Sequence, residues 1–138
     1  MGTQEIGESL IKSEDDILSC RQLIRSVAMA IGFGMTDVTR IVTAASELSR
    51  NINVHAGSNG IMRWKILQQL EKIGLQLEFE DFGKGIPDIE QAMTVGFTTS
   101  NSMGMGLSGV KRLMDEMTIK SEVGVGTIVT IAKWRKAT

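Results

Sequence analysis

The chain has 138 residues, 42% hydrophobic and 22% charged, with a formal net charge of −1. That is the length of a single domain, residues 1–138, with enough apolar residues for a core. Its charge shows no basic run that would point to nucleic acid or to an anionic membrane surface. No apolar run approaches 18 residues and no signal peptide is visible, so we expect a soluble cytoplasmic protein. One cysteine, Cys20, rules out an internal disulfide, and with one histidine, His55, argues against a zinc site or a Cys–His dyad.

In chain order, Ile6, Glu8 and Leu10 share one face of a first strand over about 4–12. Ser13 and Asp16 have capping-box spacing and open a helix that runs to about Ile31. Gly32-Phe33-Gly34 ends it. Thr36 is expected to cap a second helix reaching nearly to Gly57, with Val38, Ile41, Val42, Ala45, Leu48 and Ile52 at helical spacing. On that helix Glu47 and Asn51 stand four apart, on one face and one turn from each other, with Ser46 and Arg50 beside them.

Ser58-Asn59-Gly60 reads as a turn into a strand over about 61–69, with Met62, Trp64 and Ile66 on one face. Glu71-Lys72-Ile73-Gly74 turns into a second strand, where Leu75, Leu77 and Phe79 alternate with Gln76, Glu78 and Glu80. That strand delivers Asp81 into Phe82-Gly83-Lys84-Gly85-Ile86-Pro87-Asp88, a carboxylate followed at once by two glycines. A fixed acceptor beside bare backbone suits a flat ring that offers an N–H. A short helix over 89–93 leads into Thr94 to Met103, small and uncharged, which reads as a loop.

Gly104-Met105-Gly106-Leu107-Ser108-Gly109 then opens a helix with Leu107, Val110, Leu113, Met114 and Met117 on one face. Free N–H groups at such a start favour phosphate. Two strands, 119–123 and 127–134, close the chain around Gly124-Val125-Gly126. Each piece also has a plainer reading: an exposed turn carboxylate, a solvated helix face, a glycine linker. The element order predicts an α/β two-layer sandwich, a mixed, mostly antiparallel sheet with helices on one face.

Neither the Walker loop nor the dinucleotide fingerprint occurs. Glu47-Leu48-Ser49-Arg50-Asn51, Asp81-Phe82-Gly83-Lys84-Gly85, the 104–109 stretch and Gly126-Thr127 together resemble, in order and spacing, the N box, two glycine boxes and late Gly-Thr pair of the histidine-kinase-like (GHKL) ATPases. The resemblance covers nearly the whole chain and implies the Bergerat-type ATP-binding fold. Within it, Thr43 to Asn51 and Gly109 to Glu116 look closest to the RsbT branch of small bacterial serine/threonine kinases, the stressosome switch kinases of partner switching.

The resemblance implies ATP and Mg²⁺ as cofactors, Glu47 as general base and Asn51 as the magnesium ligand. It implies Asp81 as acceptor for the adenine amine, Gly85 against the base and Thr127 at the same edge. Gly104, Gly106 and Gly109 would wrap the phosphates, and Gly83, Ile86, Met105 and Leu107 complete the nucleotide-binding set. Residues 94–103 would be the ATP lid. The implied partners are a STAS-domain substrate or scaffold and, downstream, a PP2C-type phosphatase. A nucleotide-dependent anti-sigma factor or co-activator with secondary kinase activity is the alternative. A sensor histidine kinase domain is disfavoured, since no phosphoacceptor helix is present. Residues 89–110 contain no Lys or Arg, so this lid carries no cation of its own; Lys84, Lys111, the metal or a partner would have to supply one.

Overall fold

A computed structural model describes residues 2–55, 59–93 and 106–136. In it β1 (Gly2–Ile11) precedes α1 (Glu14–Ile31) and α2 (Met35–His55). Next come β2 (Gly60–Gln69), β3 (Lys72–Asp81), α3 (Ile89–Ala92) and α4 (Gly106–Leu113), then β4 (Glu116–Glu122) and β5 (Gly126–Lys136). The strands form one sheet in the order β1-β2-β3-β5-β4, and every neighbouring pair is antiparallel. This is the two-layer α/β sandwich that the element order predicts.

Strand alternation sorts the two faces. Met62, Ile66, Leu75, Leu77, Phe79, Val129 and Ile131 are buried with Ile24, Ala28, Ile41, Ala45 and Leu48 of α1 and α2 in one core. The residues between them face outward. There Arg63 donates to Glu78 at 2.8 Å and to Glu80 at 2.9 Å, and pairs with Glu8 at 3.5 Å. The glutamates raise its already high pKa, their hydrogen bonds first. Ile6, Glu8 and Leu10 do share a face, but it is this outer one, and all three are exposed.

The helix ends follow local chemistry. Ser13 and Asp16 form the expected capping box, with Asp16 N–H donating to Ser13 Oγ and Ser13 N–H to Asp16 Oδ2. Gly32 stops α1 at φ 100°, a left-handed conformation that suits glycine. Next, α2 starts earlier than expected: Val38 N–H already donates to Gly34 O at 2.9 Å, so Gly34 rather than Thr36 begins the helical bonding. α1 and α2 are joined inside by Ser49 Oγ–H donating to Cys20 Sγ at 3.6 Å. Burial pushes the Cys20 thiol above its ordinary pKa, and the Ser49 bond offsets part of that.

The other difference is at α4, which stops at Leu113 instead of continuing through Met117. Met117 lies on β4 and packs against the same core. Leu and Met at positions 113, 114 and 117 fit a helix face equally well, but long-range bonds decide. Lys133 Nζ donates to Leu113 O at 2.9 Å, and Asp115 N–H donates to Ala132 O at 3.0 Å. Lys133 is 8% exposed and also lies 3.7 Å from Asp37 and 3.6 Å from Asp115, so its charge is matched.

Candidate nucleotide site

The site is assembled where β3 ends. Asp81 stands opposite Thr127 of β5 on one side and Gly60 of β2 on the other. Past Asp81 the ladder has no more room for side chains. A Cβ on Gly126 would fall on the Asp81 carbonyl oxygen, and Gly126 itself has φ 147°. The chain therefore leaves the sheet as a loop, and Asp81 Oδ1 accepts from Gly83 N–H at 2.9 Å to fix the first turn.

That loop lies on the β4–β5 hairpin. Gly124 N–H donates to Lys84 O at 2.9 Å. Gly85, at φ 81°, comes so close to the hairpin that a Cβ would be 2.5 Å from Glu122 O. Ile86 N–H donates to Ser121 Oγ at 2.7 Å. The Ser121 oxygen is also 2.8 Å from Thr127 Oγ1 and 3.2 Å from Gly126 O. Asp81, Gly83, Ile86 and Thr127 are thus drawn together by hydrogen bonds, with Gly85 packed against the hairpin between them.

Ser121 is the hub of that cluster and is missing from the sequence-derived set. The signal was available: Met117, Ile119 and Ser121 alternate onto the inner face of β4. A short glycine turn then sets Ser121 opposite Thr127. Beyond the loop, Asp88 caps α3 by accepting from Gln91 N–H at 2.9 Å.

The second part of the site is on α2. Glu47 is 4% exposed, and its Oε1 accepts from Arg50 Nη1 at 3.3 Å. Its Oε2 is buried with no hydrogen-bond partner among the described residues. Such an oxygen is costly in a finished core and points to a group brought in from outside. Asn51 is half-buried one turn further along. The next residue, Ile52, packs over Gly60, which pairs with Asp81 in the β2–β3 ladder. This contact seats the Glu47–Asn51 turn against the strand end.

The third part is the start of α4, which packs on α2 and α3. Gly106, at φ 73°, begins the helix; Gly106 and Leu107 are half-exposed, while Ser108 and Gly109 are buried. Gly104 and Met105, and the expected lid over 94–103, lie outside the described residues. Lys84 and Lys111 are exposed. No three His, Cys, Asp or Glu residues gather into a metal cluster among the described residues. The half-buried Asn51 amide offers an oxygen of the kind a magnesium ion takes, an ion that keeps several waters and draws its other oxygens from phosphates. No described helix is long and apolar enough to cross a membrane.

Comparison with known proteins places this geometry. Residues 36–138 match the family described as histidine kinase-, DNA gyrase B- and HSP90-like ATPases. The chain belongs to that family. It is 48% identical over 124 residues to the serine/threonine-protein kinase RsbT of Bacillus subtilis (strain 168), covering 90% of this chain and 92% of RsbT. It is 32% identical over 128 residues to an anti-sigma F factor of Caldanaerobacter subterraneus, covering 91% and 89% of the two chains.

Among solved structures, the RsbU and RsbW domains of Rv1364c from Mycobacterium tuberculosis superpose with a TM-score of 0.64 at 18% identity. That match covers 96% of this chain and 32% of the other. A catalytic domain of the histidine kinase ThkA gives 0.54 at 17% identity, covering 94% and 97%. These two likenesses establish the shared fold. Within the ATPase family, the chain sits with RsbT and the anti-sigma F factors.

Proposed function

We propose that a STAS-domain protein is the phosphoacceptor of this chain, which by family is an ATP-dependent serine/threonine kinase of the partner-switching type. The observation that carries the proposal is Glu47 Oε2, one turn from Asn51, an oxygen buried with no hydrogen-bond partner among the described residues.

In this reading Asp81 accepts from the exocyclic amine of adenine, while Gly85 and the Ser121–Thr127 hydroxyls shape the edge of the base pocket. Gly83 and Ile86 hold the loop that forms its wall. Gly106, Leu107 and Gly109 at the start of α4 bind the phosphates through backbone N–H groups, and Gly104 and Met105, outside the described residues, are assigned to the same set. Asn51 would hold Mg²⁺, which would supply positive charge against that of the phosphates. Glu47 Oε2 takes the proton of the attacking serine or threonine hydroxyl. The hydroxyl oxygen bonds to the γ-phosphorus as the bond to the β–γ bridging oxygen breaks, and ADP leaves. Residues 1–138 act as one catalytic unit, and the kinase freed by phosphorylation of its partner goes on to engage a PP2C-type phosphatase in the cytoplasm.

Transfer of γ-labelled phosphate from Mg-ATP to a purified STAS-domain protein tests this. The wild type is expected to transfer. Glu47→Gln is expected to lose roughly 10²–10⁴-fold in rate while still binding nucleotide. Undiminished transfer by Glu47→Gln would remove Glu47 as the base. The likeness to anti-sigma F factors favours one second reading, a nucleotide-dependent sigma-binding module. Co-purification with a sigma factor, without STAS or phosphatase proteins, would select it.

A further inference from the structure

We propose that Arg50 is the positioning residue for Glu47, engaging Oε1 so that Oε2 is the oxygen left free to take a proton. The inference rests on reading Glu47 as the base. A free carboxylate turns about its last torsion and its two oxygens are equivalent. Here they are not. Oε1 is 3.3 Å from Arg50 Nη1, while Oε2 is buried without a hydrogen-bond partner among the described residues.

The pair also straddles the protein surface. The Glu47 side chain is 4% exposed and that of Arg50 46%, so the cation reaches in from the solvent side and holds the carboxylate from one direction. Glu47 is the only ionic partner of Arg50 among the described residues. Nor does the stretch 89–110 offer a competitor, since it holds no Lys or Arg. An i,i+3 ion pair with one exposed member contributes little to helix stability. Its effect is therefore expected in the geometry of proton transfer, where a small misplacement slows reaction strongly.

The test uses the full chain and γ-labelled Mg-ATP with a purified STAS-domain protein as acceptor. Wild type, Arg50→Met, Arg50→Lys, Glu47→Gln and the Glu47→Gln/Arg50→Met double variant are compared. Melting temperature and Mg-ADP affinity are measured on each. Arg50→Met is expected to lower kcat roughly tenfold or more, with KM for ATP within about twofold and an unchanged melting temperature. Arg50→Lys recovers part of the rate, since it restores the charge without the planar fork.

In the Glu47→Gln background, Arg50→Met is expected to remove nothing further, because both changes act on one device. A full further tenfold loss in that background would show Arg50 acting on its own, and a wild-type kcat in Arg50→Met would show it idle. Either result overturns the inference and leaves Glu47 as the base. Wild-type transfer by Glu47→Gln overturns the underlying reading, and this inference with it.

Discussion

Around Asp81, backbone and hydroxyl groups are bonded to one another: Gly83 to Asp81, Gly124 to Lys84, and Ile86 to Ser121, which also bonds Thr127. At Glu47, one turn before Asn51, a buried oxygen has no hydrogen-bond partner among the described residues. The first region is a rigid frame whose shape depends on missing side chains. The second, the reactive point in the proposed reading, is held by a few side chains. A flat base needs a wall that does not move, and proton transfer needs an acceptor that is not already occupied. Substitutions in the frame should therefore change stability and nucleotide affinity together. Substitutions at Glu47 should change rate and leave the fold intact.

The sharpest way to break the frame is Gly126→Ala. Its new Cβ would overlap the Asp81 carbonyl, at a positive φ. We expect a loss of about 3 kcal/mol or more in urea unfolding, with nucleotide binding abolished at ordinary concentrations. Gly124→Ala is the control from the same hairpin. It has open space around it but φ 83°, so the backbone alone is penalised, by about 1 kcal/mol. Equal losses in the two variants would mean that the close approach to Asp81 is not what holds the frame.

A smaller effect is expected at the hub. Ser121→Ala leaves the Ile86 N–H and the Thr127 hydroxyl without their partner. Because this network is only partly buried and water reaches it, the expected loss is about 1 kcal/mol of stability. The same variant should weaken nucleotide binding several-fold and leave the rate at saturating ATP near that of wild type. A lowered kcat with unchanged affinity would place Ser121 with the reactive region and blur the division.

The two regions also differ in how far they can be read from sequence. The glycines after Asp81 and before Thr127 are visible because the constraint is local: positive φ and close backbone approach select glycine wherever they occur. Glu47 and Asn51 are visible because a helix fixes which residues share a face. Ser121 escaped because its importance comes from strand register, which sets it opposite Thr127 only once β4 and β5 pair. Lys133 escaped for the same reason. Nothing near it in sequence shows that its ammonium will meet the end of α4 and shorten that helix to Leu113. Arg50 lies inside the 47–51 motif, but the role proposed for it depends on which oxygen of Glu47 it reaches. The outward face of Ile6 and Leu10 was also unreadable, because alternation defines two faces without saying which one the helices cover.

The central claim is that the Asp81 frame is a nucleotide pocket, and calorimetric titration of Mg-ADP into wild type and Asp81→Asn tests it most directly. Asp81 Oδ1 already accepts from Gly83 N–H, so in the proposed reading its second oxygen is the one offered to the base. The account predicts micromolar-range binding to wild type, weakened by about 1–3 kcal/mol in Asp81→Asn, with both proteins folded. Equal affinity in the two proteins, or no binding to either, would contradict it.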